Sequence, residues 1–285
     1  MYNNGTFVMT GGEISNNIGA IGSGVSNLGV FSLSRGTISK NIDNGLGSST
    51  STLFTSGTFN MMGGVISDGM VCNRGLFSMS GGTISNSKNH GVYNEVGCSF
   101  ILSGGEISNN AGFGVYNLGT YNWGWTYGMF SMSGGIIRNN ACGVQSNGNF
   151  SMSGGEIFNN VGGNGGGVQN SNLFSMSGGK ISNNQATKGG GVYNYRDGVF
   201  SLSKKGVIFN NTAELGGGVY SVGTFNRLGG EISGNTATQY SNIYSQFDMG
   251  DLSIENSGSS AKGDLSMGND GVSDDRGVFR LMFYL

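Results

Sequence analysis

A 285-residue chain with 57 glycines and no proline could be collagen-like or disordered. Its glycines, however, keep neither a three-residue period nor long runs, and recur at fixed turn positions. Charged residues are only 11% and the net charge is -2; no basic patch is visible along the sequence, so nucleic acid is not an expected partner.

The repeat is present from the first residues. Met1-Tyr2-Asn3-Asn4-Gly5-Thr6-Phe7 aligns with Val71-Cys72-Asn73-Arg74-Gly75-Leu76-Phe77, which puts Met1 in a column otherwise held by valine. The chain thus opens part-way through a repeat. The expectation is a fragment of a longer protein, or a late start, whose first coil offers open ladder edges for end-to-end self-association.

Four apolar columns run down the chain. One is Phe7, Phe31, Phe59, Phe77, Phe100, Phe130, Phe150, Phe174, Phe200 and Phe225; two residues on, Met or Leu recurs from Met9 to Leu202. A third column runs from Ile14 to Ile232, and a fourth runs from Val25 through Val92, Val115 and Val192 to Ile243. Apolar residues at i and i+2 in short segments, separated by turn residues, have the periodicity of strands. Strands that recur on units of this kind stack like on like. The expected fold is all-β: a single-stranded parallel β-helix (solenoid) of about ten coils, a rod of roughly 45–50 Å at strand spacing. Asn residues follow the Ile column, often in pairs such as Asn183-Asn184, and suit turns, where Asn tolerates the left-handed conformation and stacked amides can bond from coil to coil.

Two insertions interrupt the coils. Asn44 to Thr52 is polar and Ser/Gly-rich, a loop. Thr120 to Gly128 carries Tyr121, Trp123, Trp125 and Tyr127 at alternating positions, so an extended segment would project all four rings from one face. The insertion follows Tyr116, which with Tyr93, Tyr193, Tyr220 and Tyr244 forms an outward column beside Val. Tyr121, Trp123, Trp125, Tyr127, Tyr93 and Tyr116 are therefore the candidate ligand-binding residues, suited to sugar faces or a partner's apolar anchor. Residues 1-244 form the repeat domain, and 245-285 an irregular C-terminal coil, cap or truncated end.

Chemistry is sparse. Cys72, Cys98 and Cys142 lack metal spacing and read as free thiols; with His90 alone there is no zinc constellation, and nothing calls for a metal or cofactor. No apolar stretch is long enough to span a membrane as a helix, and no signal-peptide pattern stands at the start. Glu106 and Glu156 face outward two coils apart, near the upper separation used by inverting glycosidases, but Ile136 stands between them and Glu156 reads as an ion-pair partner of Lys180. No catalytic residue is assigned. Ser-x-Ser words such as Ser151/Ser153 and Ser175/Ser177 make a hydroxyl array that also admits an ice-binding reading.

The words Gly-Gly-Glu-Ile-Ser-Asn-Asn (from Gly11) and Asn211 to Tyr220 resemble those of microbial surface proteins with right-handed parallel β-helix repeats. These include adhesin-like proteins and polymorphic outer-membrane proteins. The resemblance covers about residues 1 to 244. It implies the right-handed coil, an extracellular or cell-surface location, and a structural or adhesive role with a cell-surface glycan or protein as partner. Polysaccharide lyases and hydrolases share the fold class, so a carbohydrate-active enzyme is the alternative, followed by an ice-binding rod.

Overall fold

The structure is a computed structural model, and it describes residues 1–44, 51–119 and 126–248. Among them there is no helix. Short strands pair in parallel from coil to coil and make one 24-stranded sheet that winds into a β-solenoid of about ten turns. The Phe column pairs residue for residue from Phe7↔Phe31 to Phe200↔Phe225. The Ile column does the same from Ile14↔Ile38 to Ile208↔Ile232, and the Val column from Val25↔Leu53 to Val219↔Ile243. We number the coils one to ten by their Phe.

The core is a ladder of identical contacts. From Phe31 to Phe225 every ring of the column is at most 1% exposed. Neighbouring rings stack with centroids as close as 4.6 Å, as between Phe150 and Phe174. Between the Phe and Ile strands stands a Gly-Gly corner with no room for side chains. In coil seven a Cβ at Gly154 would collide with the Ser133 carbonyl of the coil below, and Gly155 has φ +82°. Both demands select glycine.

The Asn pairs divide two tasks. The first residue takes the left-handed turn conformation, as at Asn109, Asn139, Asn159 and Asn183 with φ of 54–57°. The second is buried and joins a ladder. Asn160 Oδ1 accepts from both the backbone N–H and Nδ2 of Asn140, each at 3.0 Å, and Asn160 Nδ2 donates onward to Asn184 Oδ1 at 3.0 Å. A second buried ladder follows the Val strands, with Asn73, Asn94 and Asn117 linked by amide bonds of 2.7 and 2.8 Å.

Coils seven to ten have long arms between the Ile and Val strands. These arms stack as well: Thr212–Leu215 pairs with Thr236–Gln239, and isolated bridges join Asn164 to Lys188 and Lys188 to Leu215. Coils four and five turn from Ile84 to Val92 and from Ile107 to Val115 by shorter arms. That difference in length decides which part of the tyrosine column stays open.

Candidate functional site

The residue after each Val points outward, and these residues stand in register: Phe54, Cys72, Tyr93, Tyr116, Gln145, Gln169, Tyr193, Tyr220, Tyr244. The column divides into two parts with different surroundings.

In coils eight to ten the rings face one another. Tyr193 and Tyr220 stack at 5.2 Å, and Tyr220 and Tyr244 at 4.6 Å. Tyr195 packs edge-on against Tyr193 at 4.5 Å, and the Lys188 amine, from a long arm, lies 5.4 Å from the Tyr220 ring centre. Tyr193 and Tyr220 are left 9% exposed. Burial raises the phenol pKa of Tyr193, Tyr220 and Tyr244. Ring faces used against each other and under an arm serve packing.

In coils four and five the arms are short, and Tyr93 and Tyr116 are half-buried. They meet edge-to-face at 5.4 Å. Two further half-buried rings join them: His90 stacks on Phe113 at 4.9 Å and meets Tyr116 edge-on at 5.2 Å. His90 Nδ1 accepts the Phe113 backbone N–H at 3.1 Å, so the ring is fixed in its neutral Nε2–H form. Burial pushes the His90 pKa down to about 4. Of the nearby charges, Arg74 pairs with Glu95 at 3.1 Å and its guanidinium lies 5.6 Å from the Phe54 ring centre, while Lys88, two residues before His90, is exposed. The result is a four-ring aromatic cluster whose own rings carry no charge at neutral pH. A polar edge borders it, where Asn147 Nδ2 donates to the Tyr116 hydroxyl at 3.4 Å and Gln145 Nε2 to Asn147 Oδ1 at 2.9 Å.

Of the six sequence candidates, Tyr93 and Tyr116 stand in this cluster. Tyr121, Trp123 and Trp125 lie outside the described residues. Tyr127 is half-buried and bridges Gly119 antiparallel, and the Gly128 N–H donates to the Leu118 carbonyl at 2.7 Å. The base of the insertion is therefore clasped three residues beyond Tyr116. A methyl at Gly119 would strike the Asn147 carbonyl and touch the Tyr127 ring, so Tyr127 and Tyr116 border the same asparagine. The sequence reading weighs His90 only as a lone metal-ligand candidate and passes over Phe113. Both belong to no apolar column, and only their position one arm apart on stacked coils brings them together.

The other chemical candidates find partners. Glu106 pairs with Arg138 at 2.9 Å and Glu156 with Lys180 at 3.0 Å. The hydroxyls of Ser34, Ser103 and Ser177 donate to the carbonyls of Met9, Met79 and Met152 in the coil below. Asn60 and Ile101 interrupt the outer serine column. The thiols of Cys72 and Cys142 are buried, which pushes both up to about 12 and leaves them protonated and unreactive.

The fold and the ring cluster define a parallel β-solenoid with an aromatic face. No protein-family model, curated protein or solved structure matches the chain. The likeness to microbial surface proteins therefore rests on the repeat words alone.

Proposed function

We propose that the chain is a structural and adhesion module of the extracellular space or cell surface. It binds a glycan or protein partner through the aromatic cluster of coils four and five together with the insertion beside it. The observation that carries this reading is the cluster itself. His90, Tyr93, Phe113 and Tyr116 stand half-exposed where the arms are short, next to the clasped base of a loop that holds both tryptophans of the chain. Elsewhere in the column Tyr193 and Tyr220 are buried, and the half-buried Tyr244 has its ring stacked on Tyr220. Uncharged rings with amides at the edge suit the apolar faces and hydroxyls of sugars or the apolar anchor of a protein.

The test is a panel of glycans and surface proteins screened with the purified chain, repeated with Trp123→Ala/Trp125→Ala and with Tyr116→Ser. Loss of at least about tenfold in affinity, about 1.4 kcal/mol, with an unchanged circular dichroism spectrum supports the reading. Binding that persists in both variants overturns it. So does sustained release of reducing or unsaturated ends from a polysaccharide, which would make the chain an enzyme.

A further inference from the structure

A repeat is its own control: each position can be compared with what the other coils place there. At one corner of coils nine and ten, three neighbouring positions depart from the repeat in the same chemical direction. Phe200 to Ile208 holds one residue more than Phe174 to Ile181. The register steps from Met176↔Leu202 to Gly178↔Lys205, so Ser203 and Lys204 stand opposite Ser177 alone. This is a bulge, a device that re-aims side chains. Lys204 is the extra residue, and Lys205 takes the place of the first corner glycine. In the coil above, Arg227 pairs with Leu202 and so occupies a column otherwise held by Met or Leu.

None of these substitutions follows from packing. A Cβ at Gly178 would lie 2.5 Å from the Ser153 carbonyl, so a side chain at that position needs the backbone shift that the bulge supplies. Arg35, the other residue at a first-glycine position, also stands at a register shift. Lys204, Lys205 and Arg227 are all exposed, and none forms an ion pair among the described residues. Lys204 runs beneath Gly229, next to Leu228, which is 64% exposed. The acids at this edge, Glu156 and Glu231, form no ion pair with these three cations among the described residues. Glu156 pairs with Lys180, and Glu231, in register with Val207, accepts the Ser233 hydroxyl. Like charges on adjacent rungs oppose each other. The coil keeps them where Gly-Gly and Met would be more stable.

We infer that this corner binds an anionic oligosaccharide, one carrying sulfate or carboxylate groups along its length. Three cations are fewer than the 6–10 phosphate contacts of a typical nucleic-acid site and fewer than the 4–8 basic residues that mark an anionic lipid surface. Lys204 and Lys205 stand side by side on coil nine and Arg227 on the next rung, about 4.8 Å above, so the positive charge spreads over two rungs, which suits a chain with repeated anionic groups better than one isolated phosphate. Leu228 beside them offers an apolar contact for a sugar ring. The corner lies between the Phe and Ile strands, on a different edge of the rod from the tyrosine column, so the inference stands apart from the aromatic site.

The experiment is calorimetric titration of the full chain with a sulfated hexasaccharide, a uronic-acid hexasaccharide and a neutral hexasaccharide. The expected result is binding to one or both acidic probes and none to the neutral one. Affinity should fall roughly 20-fold or more between 50 and 200 mM salt, as three released counterions require. Lys205→Gly/Arg227→Met puts the repeat's own residue types back at these two positions and should lose at least tenfold in affinity while melting at the same or a higher temperature. Lys204→Ser/Lys205→Ser keeps the bulge and should lose binding likewise, so the test holds even if the first pair misfolds. Unchanged affinity in the variants overturns the inference. So does binding only to a DNA duplex or to phosphatidylserine vesicles and to neither acidic hexasaccharide.

Discussion

The second residue of each Asn pair does more for the rod than the first. Asn160 is fully buried, and its carbonyl holds two donors from Asn140 while its amide reaches Asn184 and the Ile137 carbonyl. Asn160→Ala strands the buried Asn140 N–H and should cost about 2–4 kcal/mol in urea unfolding. Asn159, exposed at φ 54°, should accept Gly within about 0.5 kcal/mol. The other ladder has a fault that can be repaired. Ser146 Oγ accepts from Asn117 and donates to the Gly148 carbonyl, so Asn170 Oδ1, buried in the next coil, has no partner. Ser146→Asn would supply the amide that neighbouring coils use, and should raise stability by about 1 kcal/mol. His90 sets a pH response. Its folded pKa of about 4 lies below the ordinary 6.5, so between these values the unfolded chain takes up a proton that the folded chain refuses. Its contribution is full above about pH 6.5 and is lost as the pH falls toward 4. The loss is on the order of 1–2 kcal/mol, allowing for the exposed part of the ring. His90→Phe keeps a ring on Phe113, removes the acceptor, and should abolish that pH dependence while lowering stability at pH 7; a variant with the wild-type profile would refute this account.

At the scale of the strand and the coil, most of the architecture is legible in the order of residues. Side chains on a strand alternate between two faces, so Phe-x-Met and the isolated Ile and Val fix what points inward. Identical words on successive coils fix the register, and Phe150 falls on Phe174 because any slip by one residue would turn the ring outward. The outward positions are legible as columns but not as surfaces. Tyr193 and Tyr93 occupy equivalent places in the repeat, yet the long arm carrying Lys188 lies over the first group and short arms leave the second half open. Arm length can be counted between the Ile and Val columns, but not which ring an arm lies over. The same limit hides the Lys204, Lys205 and Arg227 corner, whose parts are separated by almost one coil of sequence and meet only when coils stack. His90 and Phe113 are invisible for the same reason.

For the molecule as a whole, stacking makes stability one-dimensional. Each coil exchanges bonds and ring contacts with the coil below and the coil above, so total stability is a sum of coil terms and nearest-neighbour terms. The ends of the described stack are not equivalent to its middle. Phe7 is 39% exposed where the rings above it are at most 1% exposed. At the other end the Met/Leu column turns charged, with Arg227 in register with Leu202. A charge in an inward column blunts a sheet edge. Amide exchange should therefore be graded along the rod. Protection should be greatest in coils five to eight, and should fall toward coil one and toward coil ten as the outer coils open without the rest. Phe150→Ala tests how far that coupling reaches, because Phe150 stacks at 4.7 Å on Phe130 and at 4.6 Å on Phe174. Removing it should cost about 3–5 kcal/mol and weaken the link between the two halves of the rod. Exchange in coils one to six should then separate from that in coils eight to ten, and urea unfolding should broaden or split into two steps. A variant that unfolds in one sharp transition, with uniform protection in every coil, would show that the rod behaves as a single cooperative block.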